Sequence, residues 1–252
     1  MGWLTDWRRR RVLKRHRIDD ALWRKATRGL NFLLKLAESE TQKLKRLVLL
    51  FLAEKQFAGA HGIEVSDAMR VSIAAQACLP ILNLGLDWYS GWSGIVVYPG
   101  DFRVTRSEVD EHGVVHEWDD QLAGEAMPGG PVVLSWDAAA NDPEMSVVIH
   151  EFAHKLDMLN GEADGLPPLH AGMDRKLWKR AFGKAFEGFC DAVERDKDTW
   201  LDPYAAEHPS EFFAVVSEAF FEDPAETRRR YPDVYGQLKL FYRQDPAARA
   251  SA

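Results

Sequence analysis

Apolar residues recur at helical spacing through most of this chain and give way to β-branched runs in two places. Asp19 or Asp20 caps a first helix through Leu22 and Trp23, which Gly29 interrupts. Between Asn31 and Phe57, Leu33, Leu34, Leu36, Leu44, Leu47, Leu50 and Phe51 repeat at three and four, predicting one long helix. Gly59 and Gly62 break that pattern. Ser66 caps a third helix, through Met69, Val71, Ile73, Ala74 and Ala77 to Cys78, which Pro80 kinks or ends. Residues 81–88 stay apolar as far as a turn at Gly91 and Gly94. There the period changes. Ile95 to Tyr98, bounded by Gly94 and Pro99, reads as a buried strand, and Pro131 to Trp136 as a second. Phe102 to Val104 and Val114 to Trp118 are weaker strand candidates. Gln121 to Gly130, with Gly124, Pro128, Gly129 and Gly130, reads as loop or bulge.

Helical spacing then returns. Asp142 and Pro143 give the start signal of a helix over Val147 to Asn160, with Asn160 and Gly161 at its end. Further helices are expected over Lys176 to Asp196, Ser210 to Phe221 and Pro232 to Tyr242. The fold class that follows is α+β: a helical N-terminal layer (19–92) packed on a core (93–245) made of a small mixed β-sheet with the later helices behind it. Residues 19–245 are read as a single compact domain. Residues 1–18 are read as a basic, disordered tail, and 246–252 as a short polar tail.

Composition changes this picture little, since 46% apolar and 28% charged residues are ordinary for a globular protein. No apolar run approaches the ~20 residues of a membrane span, so no membrane insertion is expected. No apolar segment follows the basic N-terminus, so no signal peptide is expected either. Cys78 and Cys190 read as free thiols in a reducing compartment, which makes a cytoplasmic location the default. Charge is uneven. Seven Arg and Lys residues against Asp6 give residues 1–17 a net +6, so the remainder carries −13 of the total −7. An acidic body argues against direct nucleic-acid binding.

The chemistry lies in Val147 to Asn160. His150-Glu151-Phe152-Ala153-His154 is an H-E-x-x-H motif. On a helix, residues four apart share a face, so His150 and His154 can direct two imidazoles at one metal ion. Glu151, about 100° around the helix, can reach a water there without being a ligand. That pattern belongs to zinc hydrolases. Val147, Val148, Ile149, Leu156 and Leu159 make the helix apolar on most of its circumference, and buried polar groups need partners, which a metal supplies. A catalytic zinc site needs a third protein ligand. Glu211, Glu218 and Glu222 are the carboxylates offered by the helix over Ser210 to Phe221 and its end. Glu211 is the sharper choice. Glu218 lies seven residues on, along the same face, where it can support a ligand. Asp157 either orients a ligand or a neighbouring loop, or pairs with a nearby base at the helix end. A strand followed closely by such a helix also lets an extended peptide add to the sheet edge beside the metal.

The segments HEFAHKLDMLNGEADG (150–165) and DPYAAEHPSEFFAVVSEAFF (202–221) resemble the Mlc titration factor A family of bacterial zinc metallopeptidases. So do LPILNLGLDW (79–88), VVYPGDF (96–102) and GGPVVLSW (129–136). The resemblance runs from about residue 45 to 245 and leaves out the basic N-terminus. That family is similar in its core to the anthrax lethal factor peptidase domain, and both are gluzincins, in which a Glu is the third zinc ligand. The resemblance implies His150, His154 and Glu211 as ligands of one Zn2+ and Glu151 as general base. It also implies Tyr204 as a tyrosine aimed at the reacting oxygen. It further implies a cytoplasmic protein with aminopeptidase-like activity on peptide substrates, one that also binds Mlc, a transcriptional repressor of sugar-uptake genes. The alternative function is a regulatory protein that titrates such a repressor while keeping a latent zinc site. A non-proteolytic zinc hydrolase ranks below both, because no phosphate or sugar site is evident.

Overall fold

The computed structural model describes residues 3–109, 115–141 and 146–249; of residues 104–109, 115–121 and 141 only the backbone path is described. The chain opens with α1 (Trp3–Arg15), α2 (Asp20–Ala26), α3 (Asn31–Leu34) and α4 (Glu38–Glu54). Strand β1 (Gln56–Gly59) and α5 (Asp67–Cys78) follow. The β region holds β2 (Gly94–Tyr98), β3 (Phe102–Val109), β4 (Val115–Leu122), β5 (Gly124–Ala126) and β6 (Val132–Ser135). The remainder is helical: α6 (Trp136–Asn141), α7 (Val147–Asp157), α8 (Arg175–Glu194), α9 (Pro209–Glu222), α10 (Pro224–Arg230), α11 (Pro232–Tyr242) and α12 (Pro246–Arg249).

The fold is α+β, as expected. Its mixed sheet has the order β1-β2-β6-β5. Strands β1, β2 and β6 are parallel, with Phe57 opposite Ile95 and Val96 opposite Val133. β5 is antiparallel to β6 and forms one outer strand, β1 the other. β3 and β4 make a separate antiparallel ribbon. Two aromatic clusters fix the helices on this frame. Phe152 of α7 is buried against the rings of Phe51, Tyr89 and Trp92, which joins α7 to α4 and the segment before β2. Trp178 and Phe182 of α8 pack on Phe213 of α9.

Several expectations need correction. The run from Asn31 to Phe57 is not one helix. Ala37 is extended (φ −63°, ψ 155°), and its N–H donates to the Glu40 carboxylate, starting α4 afresh. At the other end Lys55 is extended and Phe57 belongs to β1. Parallel pairing with β2 outweighs a residue that happened to keep helical phase. The sheet therefore takes a strand from inside the stretch read as a helical layer.

The loop read over Gln121 to Gly130 contains the end of β4 and all of β5. Trp136, read as strand, opens α6. The start signal read at Asp142 and Pro143 lies outside the described residues; Ser146 caps α7 instead. Its hydroxyl accepts from Ile149 N at 3.2 Å and donates to Gln76 Oε1 at 2.9 Å, tying α7 to α5.

Both supposed tails are structured where they are described. α1 contributes no buried residue, but its Arg9 donates to Glu54 at 2.7 Å and to Asp87 at 2.8 Å. α12 is fastened by Arg249 to Glu40, with Nε 3.1 Å from both carboxylate oxygens. Ion pairs across long sequence separations, invisible to periodicity, order these ends.

Candidate metal centre

Every residue of α7 from Val147 to Asp157 is buried, so the motif helix runs through the molecule rather than along its surface. α9 packs beside it. Glu211 stands in the first turn of α9 and Glu218 two turns on, so both face α7 along one stripe. His150 Nε2 and His154 Nε2 lie 3.1 Å apart, and Glu211 Oε2 is 3.1 Å from the first and 3.2 Å from the second. On the far side of the ring, His150 Nδ1 is 2.7 Å from Glu218 Oε1. With a metal ion held at the cluster, a proton on Nδ1, donated to Glu218, would leave the Nε2 lone pair free to face the ion.

Three electron-pair donors thus converge on one point. Their spacings approach the about 3.3 Å edge of a tetrahedral shell with zinc–nitrogen and zinc–oxygen distances of about 2.0–2.1 Å. The donor set, two imidazoles and a carboxylate, suits a divalent cation. Glu211 is held well below the usual carboxylate range: burial pushes it up, but the hydrogen bonds from His150 and His154 outweigh that. Glu151 is not among the converging atoms. It is buried, its Oε2 has no partner among the described residues, and burial pushes its pKa up to about 7 against the pull of His150 and His154.

Tyr204 lies on a single 3-10 turn, Pro203–Ala206, capped by the Asp202 carboxylate, which accepts from Tyr204 N at 2.8 Å. Its ring centroid is 6.2 Å from that of His150, and it is 39% exposed, so it borders the cluster from the solvent side. Asp157 is fully buried and turned towards the loop after α7. Its Oδ2 accepts from Gly165 N at 2.7 Å, and burial raises its pKa to about 7. The contact that Asp157 makes is thus to the loop after α7. Glu222 stands at the last residue of α9, half-buried.

A family model described as "Glucose-regulated metallo-peptidase M90" matches residues 4–243. The chain belongs to the M90 metallopeptidase family. It is 35% identical over 235 residues to Mlc titration factor A of Yersinia pestis, covering 91% of this chain and 86% of that one. The same figures hold for Mlc titration factor A of Yersinia pseudotuberculosis. An uncharacterized protein of Synechocystis is 37% identical over 223 residues, or 86% of this chain and 81% of that one. The M90 match begins within α1, which the resemblance read from the segments above left out.

Two features of this M90 peptidase's site were not evident from its sequence. The first is Gly124. A Cβ there would lie 2.5 Å from Glu151 Oε1 and 2.8 Å from its Cδ. Outer strand β5 therefore passes directly over Glu151, and only a glycine leaves room.

The second is Lys155. Its buried ammonium donates to Met127 O at 2.6 Å and Gly130 O at 2.8 Å, and lies 4.7 Å from the Trp92 ring centroid. It pins the turn after β5 onto α7, and burial lowers its pKa to about 8. Its signal was a lysine on an otherwise apolar stripe of the motif helix. Lys155→Met keeps the bulk and leaves two carbonyls without their donor. A loss of about 1–3 kcal/mol is expected. Urea unfolding measures it, and faster amide exchange across residues 124–130 localises it.

Proposed function

We propose that this chain is a zinc-dependent peptidase of the gluzincin type. The convergence of His150 Nε2, His154 Nε2 and Glu211 Oε2 on one point carries the proposal, with Glu218 supporting the first imidazole from behind. Zinc held by His150, His154 and Glu211 would supply Lewis acidity there, acidifying a water and polarising the scissile carbonyl. Glu151 takes the proton from that water and delivers it to the departing amine. The Tyr204 hydroxyl donates to the oxyanion as it develops. An extended peptide is held by main-chain hydrogen bonds to outer strand β5, whose backbone passes over Glu151. The family resemblance favours aminopeptidase-like cleavage and a cytoplasmic setting. No described helix is long and apolar enough to cross a membrane.

Metal analysis of the purified protein, alongside cleavage of peptides with free and with blocked N-termini, tests this reading. One zinc per chain and hydrolysis abolished by a chelator are expected, with free amines preferred. Protein without zinc, or cleavage indifferent to chelation, would overturn it.

Glu218→Ala is expected to weaken zinc binding about 10–100-fold, because His150 loses the acceptor that fixes its tautomer and aim. Competition against a zinc-sensitive dye reads the affinity.

The relatives named Mlc titration factor A support a second activity: binding of an Mlc-type transcriptional repressor. Under the alternative reading, that binding is the main function and the metal site is weakly active. Repressor binding that is equal in wild type and Glu151→Gln would make it independent of hydrolysis.

A further inference from the structure

The cleft between α1, the start of α2 and α4 encloses about 910 Å³ and lies apart from the metal centre. Its walls carry Arg10, Lys14, Arg17, Lys45 and Arg46. The carboxylates there are already engaged: Asp19 caps α2, and Asp20 pairs with Lys45 at 2.8 Å. Among the described residues, no carboxylate pairs with Arg10, Lys14, Arg17 or Arg46. Four cations gathered in a concavity repel one another, and in a chain of net charge −7 they focus a positive field on one place.

The same helix carries a second feature. Trp3, Trp7, Arg10 and Lys14 follow one another at spacings of four, three and four, which makes a single stripe along α1. Its C-terminal half lines the cleft. Its N-terminal half is Trp3 (76% exposed) and Trp7 (52%), with Leu4 (53%) beside them. Arg8, Arg11 and Arg15 flank the stripe, and Arg11 lies 5.4 Å from the Trp7 ring centroid. Arg9 points the other way and clamps the helix to the body through Glu54 and Asp87. The outer face is therefore presented on a docked helix.

We propose that α1 seats this protein on the surface of an anionic lipid bilayer. The cationic cleft receives lipid phosphates, and Trp3, Leu4 and Trp7 enter the boundary between headgroups and acyl chains. A soluble anion would use the cleft and leave the three apolar side chains idle. A lipid surface uses both, because interfacial helices combine a basic flank with exposed tryptophan and leucine. The acidic body limits contact to this face.

Flotation of the full-length protein with phosphatidylcholine vesicles, with and without phosphatidylglycerol, tests the proposal. Binding to the anionic vesicles alone is expected, weakening as salt rises. Arg10→Gln with Lys14→Gln should reduce partitioning about thirtyfold, since each basic residue near such a surface contributes about 1 kcal/mol. Trp3→Ala with Trp7→Ala should reduce it about tenfold or more, as expected for removing apolar area from the interface. The four side chains are exposed, so the thermal midpoint of each variant should match wild type, separating lost binding from lost fold.

Inorganic phosphate and a single-stranded oligonucleotide serve as competing probes. Vesicle binding that depends on both residue pairs supports the proposal. Absence of vesicle binding, equal binding to neutral vesicles, or oligonucleotide binding that replaces it would overturn it.

Discussion

Glu151→Gln is expected to lower peptide hydrolysis by about 10²- to 10⁴-fold, the usual contribution of a positioned general base, while zinc content stays at wild type. The substitution keeps size and shape and removes only the ability to accept a proton. Glu151 is not one of the three converging atoms, so the donor set of His150, His154 and Glu211 is untouched. Stability should change little, because an amide replaces a carboxylate that is buried with one oxygen unpaired. Pre-steady-state cleavage, with metal analysis of the same preparation, separates the two effects. Wild-type turnover in the variant would remove Glu151 from the chemistry and leave the metal centre standing. Loss of zinc together with activity would instead mean that Glu151 helps hold the ion.

The parts of the site that could be read in the sequence are those whose geometry is local. His150 and His154 share a face because a helix repeats every 3.6 residues, and Glu211 and Glu218 share a stripe for the same reason. Periodicity also gave the burial of α7, whose flanking residues are nearly all apolar. That α9 would bring its stripe to α7 could not be deduced from spacing; the resemblance carried that step.

What escaped is long-range. β1 reads as a continuation of a helix until Phe57 finds Ile95 in a neighbouring strand. β5 reads as loop because three residues, Gly124 to Ala126, carry too little pattern to betray pairing with β6. α1 reads as a charged tail because its anchor is an arginine reaching Glu54 and Asp87, 45 and 78 residues away. Each of these elements is held by partners that the chain meets only after folding. Local propensity alone does not specify them.

Gly124→Ala is expected to lower kcat about 100-fold with the zinc site intact, the penalty that an ångström of misplacement imposes on a reacting group. Gly124 does not have the left-handed backbone that favours glycine, so alanine adds a methyl group and no backbone strain. That methyl would meet Glu151 Oε1 at 2.5 Å and its Cγ at 2.7 Å, closer than carbon tolerates, so something must move. Two responses compete. β5 can lift off α7, or the Glu151 side chain can swing aside. β5 is paired to β6, and Lys155 holds its following turn by two hydrogen bonds. The Glu151 carboxylate is the free end of a flexible side chain, so it yields first. The expected signature is lower kcat, nearly unchanged KM and a stability loss of about 1 kcal/mol or less, within the range of mild substitutions. A raised KM with kcat unchanged would show the opposite response, in which the displaced strand loses its hold on the peptide while the base keeps its aim. Wild-type values of both would mean that β5 does not lie over Glu151 when substrate is bound, which would remove the outer strand from the proposed mechanism.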